Sequence, residues 1–241
     1  MKTTIVIPAY NHYDKVLPHG VESWKKYSSK LGIGFEMPVE NIPNKPGCNQ
    51  WQTGVWAKWD ALRPIIDKYD KFLLVDSDTM VRWDLPNIFE LTKDFEFCCI
   101  QDAGTNAGEW HYPQWQDLMD ISLIDRKVYF NAGVTLFTRE IGHILLDNLD
   151  PFFEFYSKRD ENGVRIDAVE QTVVNIIAQT KFKDKMTFLD HRFNNMVMMK
   201  YDDYSFVNDS YLWHFTGQRM GGFDNKPKVM SECWDLIKDR Y

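Results

Sequence analysis

Long apolar runs are missing from this 241-residue chain. No stretch approaches the roughly 18 consecutive apolar residues that a bilayer-crossing helix needs, so a membrane anchor is not expected. The opening MKTTIVIPAYNHY has only a short apolar stretch from Ile5 to Ala9 and reads as a first strand, not as the apolar region of a secretion signal. The expected compartment is therefore the cytoplasm. A surplus of basic charge is missing too: 28 Lys and Arg against 35 Asp and Glu give a formal charge of -7, which argues against a broad nucleic-acid footprint. Cysteine is sparse, and Cys48, Cys98, Cys99 and Cys233 contain no C-x-x-C pair, so they read as buried thiols and not as zinc ligands. There is also no glycine-rich phosphate loop after the first strand, no internal repeat and no low-complexity linker.

What the chain does have is core-forming material, 44% hydrophobic and 15% aromatic, enough for one large α/β domain spanning residues 1–241. Strand-like and helix-like segments alternate through the first half, the pattern of a mainly parallel sheet with helical crossovers; the second half is more mixed. Strands are expected at Thr3 to Ile7, Phe72 to Val75, Phe95 to Ile100, Gly133 to Phe137, Met186 to Leu189 and Tyr211 to Phe215. Helices are expected from Val16 to Leu31, closed by Gly32, and from Trp51 to Tyr69 with an interruption at Pro64. Others are expected near Asn87 to Thr92, from Asp150 to Lys158, Asp167 to Gln179 and Lys228 to Arg240. Between them, Gln101 to Lys127 is polar and aromatic without a clear period, which suits a binding loop.

The most informative segment is Asp76-Ser77-Asp78, directly after the apolar run Phe72-Leu73-Leu74-Val75. Ligands of open α/β sheets gather beyond the carboxyl ends of such buried strands. If the extended backbone continues through the triplet, Asp76 and Asp78 point to one side, where two carboxylates repel unless a cation lies between them; Mg²⁺ or Mn²⁺ suits such oxygen ligands.

Five segments, in order, resemble the family 8 glycosyltransferases, the glycogenin-like and bacterial galactosyltransferase-like retaining enzymes of GT-A fold. They are PAYNHY from Pro8, KYDKFLLVDSDTMVRWDLPNIFEL from Lys68, YFNAGVTLF from Tyr129, VEQTVVN from Val169 and HFTG from His214 to Gly217, followed by Lys226-Pro227. The resemblance implies a GT-A type, Rossmann-like sheet flanked by helices, and a metal-dependent hexosyltransferase that moves a sugar from a nucleotide donor, most simply a UDP-sugar, to a glycan, lipid or protein hydroxyl. It implies Asp76, Asp78 and His214 as Mn²⁺ or Mg²⁺ ligands, with Ser77 between the acids. Asn11 and Tyr13 would hold the nucleoside; Lys58, or Arg63 in its place, would approach the donor; Gly217 and Lys226 would close over the diphosphate.

By the same resemblance Asn131, Gln171 and Asp102 belong beside the donor sugar. Glu170 stands where relatives usually have Asp, and Asp167-Ala168-Val169-Glu170 also has capping-box spacing, so catalysis and helix capping both remain open for it. Gly221-Gly222 makes Gln218 to Lys228 pliant enough to act as a lid. Two other readings compete: a nucleotidyltransferase, which the missing glycine-rich loop disfavours, and a carbohydrate-binding protein with a vestigial site, its tryptophans stacking on sugar rings. The aromatic loop with Trp110, Tyr112 and Trp115 is the expected acceptor surface.

Overall fold

The computed structural model describes residues 1–103, 106–116, 118, 120–158 and 169–241. Strands β1 (Thr3–Val6), β2 (Gly34–Glu36), β3 (Lys71–Val75), β5 (Phe97–Gln101), β6 (Phe130–Thr138) and β7 (Met186–Phe188) form a sheet in the order β2-β1-β3-β6-β5-β7. Parallel pairs join β1 to β2, β1 to β3 and β5 to β7, and β6 runs against both of its neighbours. A smaller sheet, β4-β9-β8, is made of β4 (Thr79–Val81), β8 (Asn195–Met196) and β9 (Leu212–His214). This is the expected α/β architecture with a mostly parallel sheet.

The buried run of β3 explains why helices cover both faces. Phe72 and Leu74 join one apolar cluster, Leu73 and Val75 the other, so neither face can meet water. The adjacent Cys98 and Cys99 split in the same way, each buried in a different cluster, as strand alternation requires. Burial pushes the Cys98 thiol up to about 11. Lys71, wholly buried in β3, gives its ammonium protons to the carbonyls of Thr92 and Phe95, closing the turn that leads into β5.

Helices α1 (Tyr13–Val16), α2 (Pro18–Leu31), α3 (Gln50–Asp60), α4 (Ile88–Leu91), α5 (Ala107–His111), α6 (Arg139–Lys158), α7 (Glu170–Lys181), α8 (Val197–Lys200) and α9 (Lys226–Ile237) complete the described elements. α2 has Pro18 in its first turn and Gly32 in the left-handed cap at φ 64°, the two signals read from sequence. None of the described helices is long and apolar enough to cross a membrane.

Four local expectations are corrected. The helix expected over Trp51 to Tyr69 starts one residue earlier, behind a capping box of Asn49 and Gln52, and stops at Asp60, before Pro64 can interrupt it. The one expected from Asp150 begins at Arg139 and runs through Pro151, because Ile141, Leu145, Leu146 and Leu149 bury a continuous stripe. The strand expected from Gly133 already starts at Phe130, so Asn131 lies within β6 and not in a turn. Finally, α7 begins at Glu170, which makes it the first helical residue and not the third; Asp167 lies outside the described residues.

One irregularity positions the functional groups. Cys98 faces Leu136, so an unbroken ladder would set Ile100 opposite Val134, yet it faces Asn131. The additional β6 residues bulge at Ala132 and Gly133, level with the end of β3, where Gly133 accepts the Asp76 N–H at 2.8 Å. Bulges of this kind turn side chains toward a cleft.

Candidate active site

The acids after β3 converge through a turn and not through extended backbone. Thr79 closes it, giving its N–H (3.1 Å) and its hydroxyl (2.6 Å) to the Asp76 carbonyl, and the chain then enters β4. Helix α2 props this turn: Trp24 donates to the Thr79 hydroxyl at 2.9 Å, and Ser23 accepts the Val81 N–H at 3.1 Å. Gly20 lies so close beneath that a Cβ there would stand 2.4 Å from the Ser77 carbonyl oxygen. On the far side Phe215 donates to the Asp78 carbonyl at 2.9 Å, tying the turn to β9.

This stitching brings Asp76, Asp78 and His214 together, with one ligand atom from each within 4.8 Å of the others. His214 Nε2 is 3.3 Å from Asp78 Oδ1, and its Nδ1 is buried with no hydrogen-bond partner among the described residues. Two carboxylates and an imidazole suit a divalent cation such as Mn²⁺ or Mg²⁺, so the donor set fits the expected metal. Gly133 makes the room, since a Cβ there would meet His214 Cε1 at 2.3 Å and Asp76 Oδ2 at 2.9 Å.

Two lysines share the charge of these acids. Lys58, buried on α3, lies 3.1 Å from Asp76 Oδ1, 2.8 Å from Glu170 Oε1 and 3.2 Å from the Ala132 carbonyl. Burial alone would lower its pKa, but Asp76 and Glu170 outweigh that and hold it above the usual lysine value. Glu170 shifts upward, as burial outweighs the pull of Lys58. Arg63, the alternative cation, sits beyond the end of α3 and pairs on the surface with Asp60 and Asp150 instead. Lys226, the first residue of α9, reaches Asp78 Oδ2 at 2.5 Å. Burial would raise the Asp78 carboxyl, yet Lys226 and His214 beside it hold it far below the usual carboxylate range.

A cluster of amides and one carboxylate adjoins the acids. Gln171 accepts the Ala132 N–H at 3.0 Å on its Oε1 and donates from Nε2 to Asp102 Oδ2 at 3.0 Å. Asn131 donates to Gln171 Oε1 at 3.2 Å and to Asp102 Oδ2 at 3.3 Å. Residues from β6, α7 and the end of β5 thus meet, as the motif reading expected.

Two adjoining cavities open onto the acids. The smaller, about 490 Å³, is lined by Tyr10, Asn11, Tyr13, Asn49, Trp51, Ser77, Asp78 and Lys226 among others; the larger, about 760 Å³, reaches Asn131, Glu170, Gln171, His111, Tyr129 and Phe223. Asn11 takes a left-handed conformation (φ 56°), and its Oδ1 accepts the Ile42 N–H at 3.0 Å, which orients its amide protons as the donor end for a ligand. Gly217, at φ 118°, lines neither cavity; it packs against Met198 and Met199 at the start of the 217–225 loop.

The expected aromatic acceptor loop reaches the larger cavity through His111 and not through its other aromatics. Tyr112 and Trp115 are fully buried in the core, and Trp110, though 73% exposed, lines neither cavity. Most of the tryptophans are core residues too, which removes the basis for a surface of stacked sugars. The exposed aromatics at the cleft are instead Trp51 (61% exposed) and Tyr13, which line both cavities, and Phe223, which lines the larger. The position of Trp51 follows from the Asn49-x-x-Gln52 capping box, a signal legible in the sequence but outside the five family-like segments. Tyr129 opens the YFNAGVTLF segment and His111 lies in the expected binding loop, though neither was given a role of its own, and no motif marks Asn194.

Comparison with known proteins gives the family and the fold. The family model described as glycosyl transferase family 8 matches residues 10–219. No curated protein sequence matches the chain. Among solved structures, a glycosyltransferase involved in glycosylation of the major capsid of PBCV-1 is 17% identical with a TM-score of 0.61, over 96% of this chain and 100% of that one. The galactosyltransferase LgtC, in complex with donor and acceptor sugar analogues, is also 17% identical with a TM-score of 0.57, over 99% and 97%. GlyE of Streptococcus pneumoniae TIGR4 is 16% identical with a TM-score of 0.54, over 98% of this chain and 62% of that one. At these identities the structural likeness is one of fold, the GT-A-like arrangement.

Proposed function

The chain belongs to glycosyl transferase family 8 and is a glycosyltransferase, and from that premise we propose that it moves a sugar from a nucleotide-sugar donor, a UDP-sugar, to an acceptor hydroxyl. The observation that carries this reading is the convergence of Asp76, Asp78 and His214 where the two cavities meet. The smaller cavity suits the nucleoside: Tyr13 offers a ring for the base, and the free amide protons of Asn11 an edge contact. The larger suits the transferred sugar and the acceptor, with Asn131 and Gln171 in its lining arranged to order hydroxyl groups and Asp102, which lines neither cavity, holding both amides from behind. Residues from Pro8 to Pro227 contribute to these cavities, which fits one GT-A domain over the whole chain.

Asp76, Asp78 and His214 would hold Mn²⁺ or Mg²⁺, which when bound supplies Lewis-acid stabilisation of the negative charge on a departing diphosphate. Lys58 keeps Asp76 and Glu170 from repelling that charge. Glu170, gripped by Lys58 at 2.8 Å and buried, is better placed as a charge partner than as a nucleophile. Retention then proceeds on one face of the sugar: the bond from the anomeric carbon to the phosphate oxygen breaks, the acceptor oxygen bonds to the same face, and the acceptor proton passes to the departing phosphate. The segment from Gln218 to Lys228, with positive φ at Met220, Gly221 and Gly222, is the lid that carries Lys226 to the diphosphate. A fitting test is nucleotide release from a panel of UDP-hexoses with Mn²⁺. Turnover is expected in the native protein and absent in Asp78→Ala; equal turnover in both would refute the assignment.

A further inference from the structure

We propose that Asn194 is a positioning residue for the sugar-facing amides, an inference that rests on the proposed function. Asn194 is fully buried and lines neither cavity. Its Nδ2 donates to Asn131 Oδ1 at 3.0 Å. The same oxygen accepts the Gly133 N–H at 3.0 Å, so both protons reaching it are supplied by the protein. The amide of Asn131 is thereby locked in one sense, Nδ2 outward to Gln171 Oε1 and Asp102 Oδ2. Gln171 in turn can only accept at Oε1 and donate from Nε2. Reversing Asn131 would set its oxygen against Gln171 Oε1 and Asp102, and reversing Asn194 would set two carbonyl oxygens 3.0 Å apart. Asn194 Oδ1 has no partner among the described residues, so it is the donor end of this amide that the structure uses.

Its place in the chain gives the lock a firm base. Asn194 follows the 3-10 turn His191–Phe193, whose His191 carbonyl takes its N–H at 3.0 Å. It leads directly into β8, where Met196 is in register with His214. The short strand that abuts the metal histidine thus also fixes which atoms of Asn131 and Gln171 face the donor sugar.

The test compares Asn194→Asp with Asn194→Ala. Aspartate keeps the shape but replaces the donor by an acceptor, which turns Asn131 around; alanine removes the donor and leaves the Gly133 N–H in place. Orientation control predicts the near-isosteric change to be the worse one, with kcat for UDP release from UDP-glucose or UDP-galactose down about a hundredfold in Asn194→Asp and about tenfold in Asn194→Ala. Affinity for UDP with Mn²⁺ is expected to stay at the native value in both. The side-chain amide resonances of Asn131 and Gln171 are expected to shift in Asn194→Asp while the backbone amides of β6 hold still. Unmoved side-chain resonances, or a larger kcat loss in the alanine variant, would overturn the proposal. Absence of turnover in the native protein would count against the proposed function alone, and the resonances would still decide the role of Asn194.

Discussion

Lys58 shows best how single residues make this site. On sequence alone it competes with Arg63, because both lie in the same expected helical segment and either is long enough to approach the donor. The end of α3 at Asp60 separates them: Lys58 stays on the inner face between two acids, and Arg63 leaves for the surface. Replacing Lys58 by Met would leave Glu170 buried with no cation beside it, and a broken buried pair is strongly destabilising. Lys58→Met should therefore lose about 3–5 kcal/mol of stability in urea unfolding, and Lys58→Met with Glu170→Gln should recover part of it. A single variant as stable as the native protein would show that the pair does not carry charge. Glu170 itself was ambiguous in the sequence because capping-box spacing is a local signal. Only the start of α7 at Glu170 and the contact with Lys58, more than a hundred residues away, take it out of the expected capping position and pair it with a cation.

Among the elements, β3 with the acids that follow it was the most legible, since a buried run followed by acids needs no tertiary information to recognise. What the sequence hid was the route by which the acids converge: a turn braced by α2, not an extended strand. The β6 bulge at Ala132 and Gly133 was equally hidden, because a register shift is a relation between two strands and leaves no periodic mark. The start of α9 at Lys226 has a direct consequence. This lysine reaches Asp78 Oδ2 at 2.5 Å, where a cation and a lysine would compete for one carboxylate. Lys226→Met is expected to raise Mn²⁺ affinity about tenfold without nucleotide, a gain of about 1.4 kcal/mol, and to weaken UDP binding in the presence of Mn²⁺. Metal affinity unchanged from the native protein would contradict the exchange of partners assigned to the lid.

For the molecule as a whole, alternation of strands and helices revealed the α/β class, and the motif order revealed the family; the reversed β6 and the second sheet β4-β9-β8 did not emerge, as pairing between distant short strands is not written in either one. That second sheet matters for function, because it delivers His214 to acids borne on the central sheet and seats Asn194 behind Asn131. In the proposed function the two sheets close a metal-dependent nucleotide site. Calorimetric titration of UDP into the metal-free protein, then into the protein with saturating Mn²⁺, tests it most directly, with Asp76→Ala/Asp78→Ala as the comparison. Binding that appears only with Mn²⁺ in the native protein, and in neither condition in the variant, is the predicted result. UDP binding of equal strength with and without metal, or retained in the variant, would contradict the account.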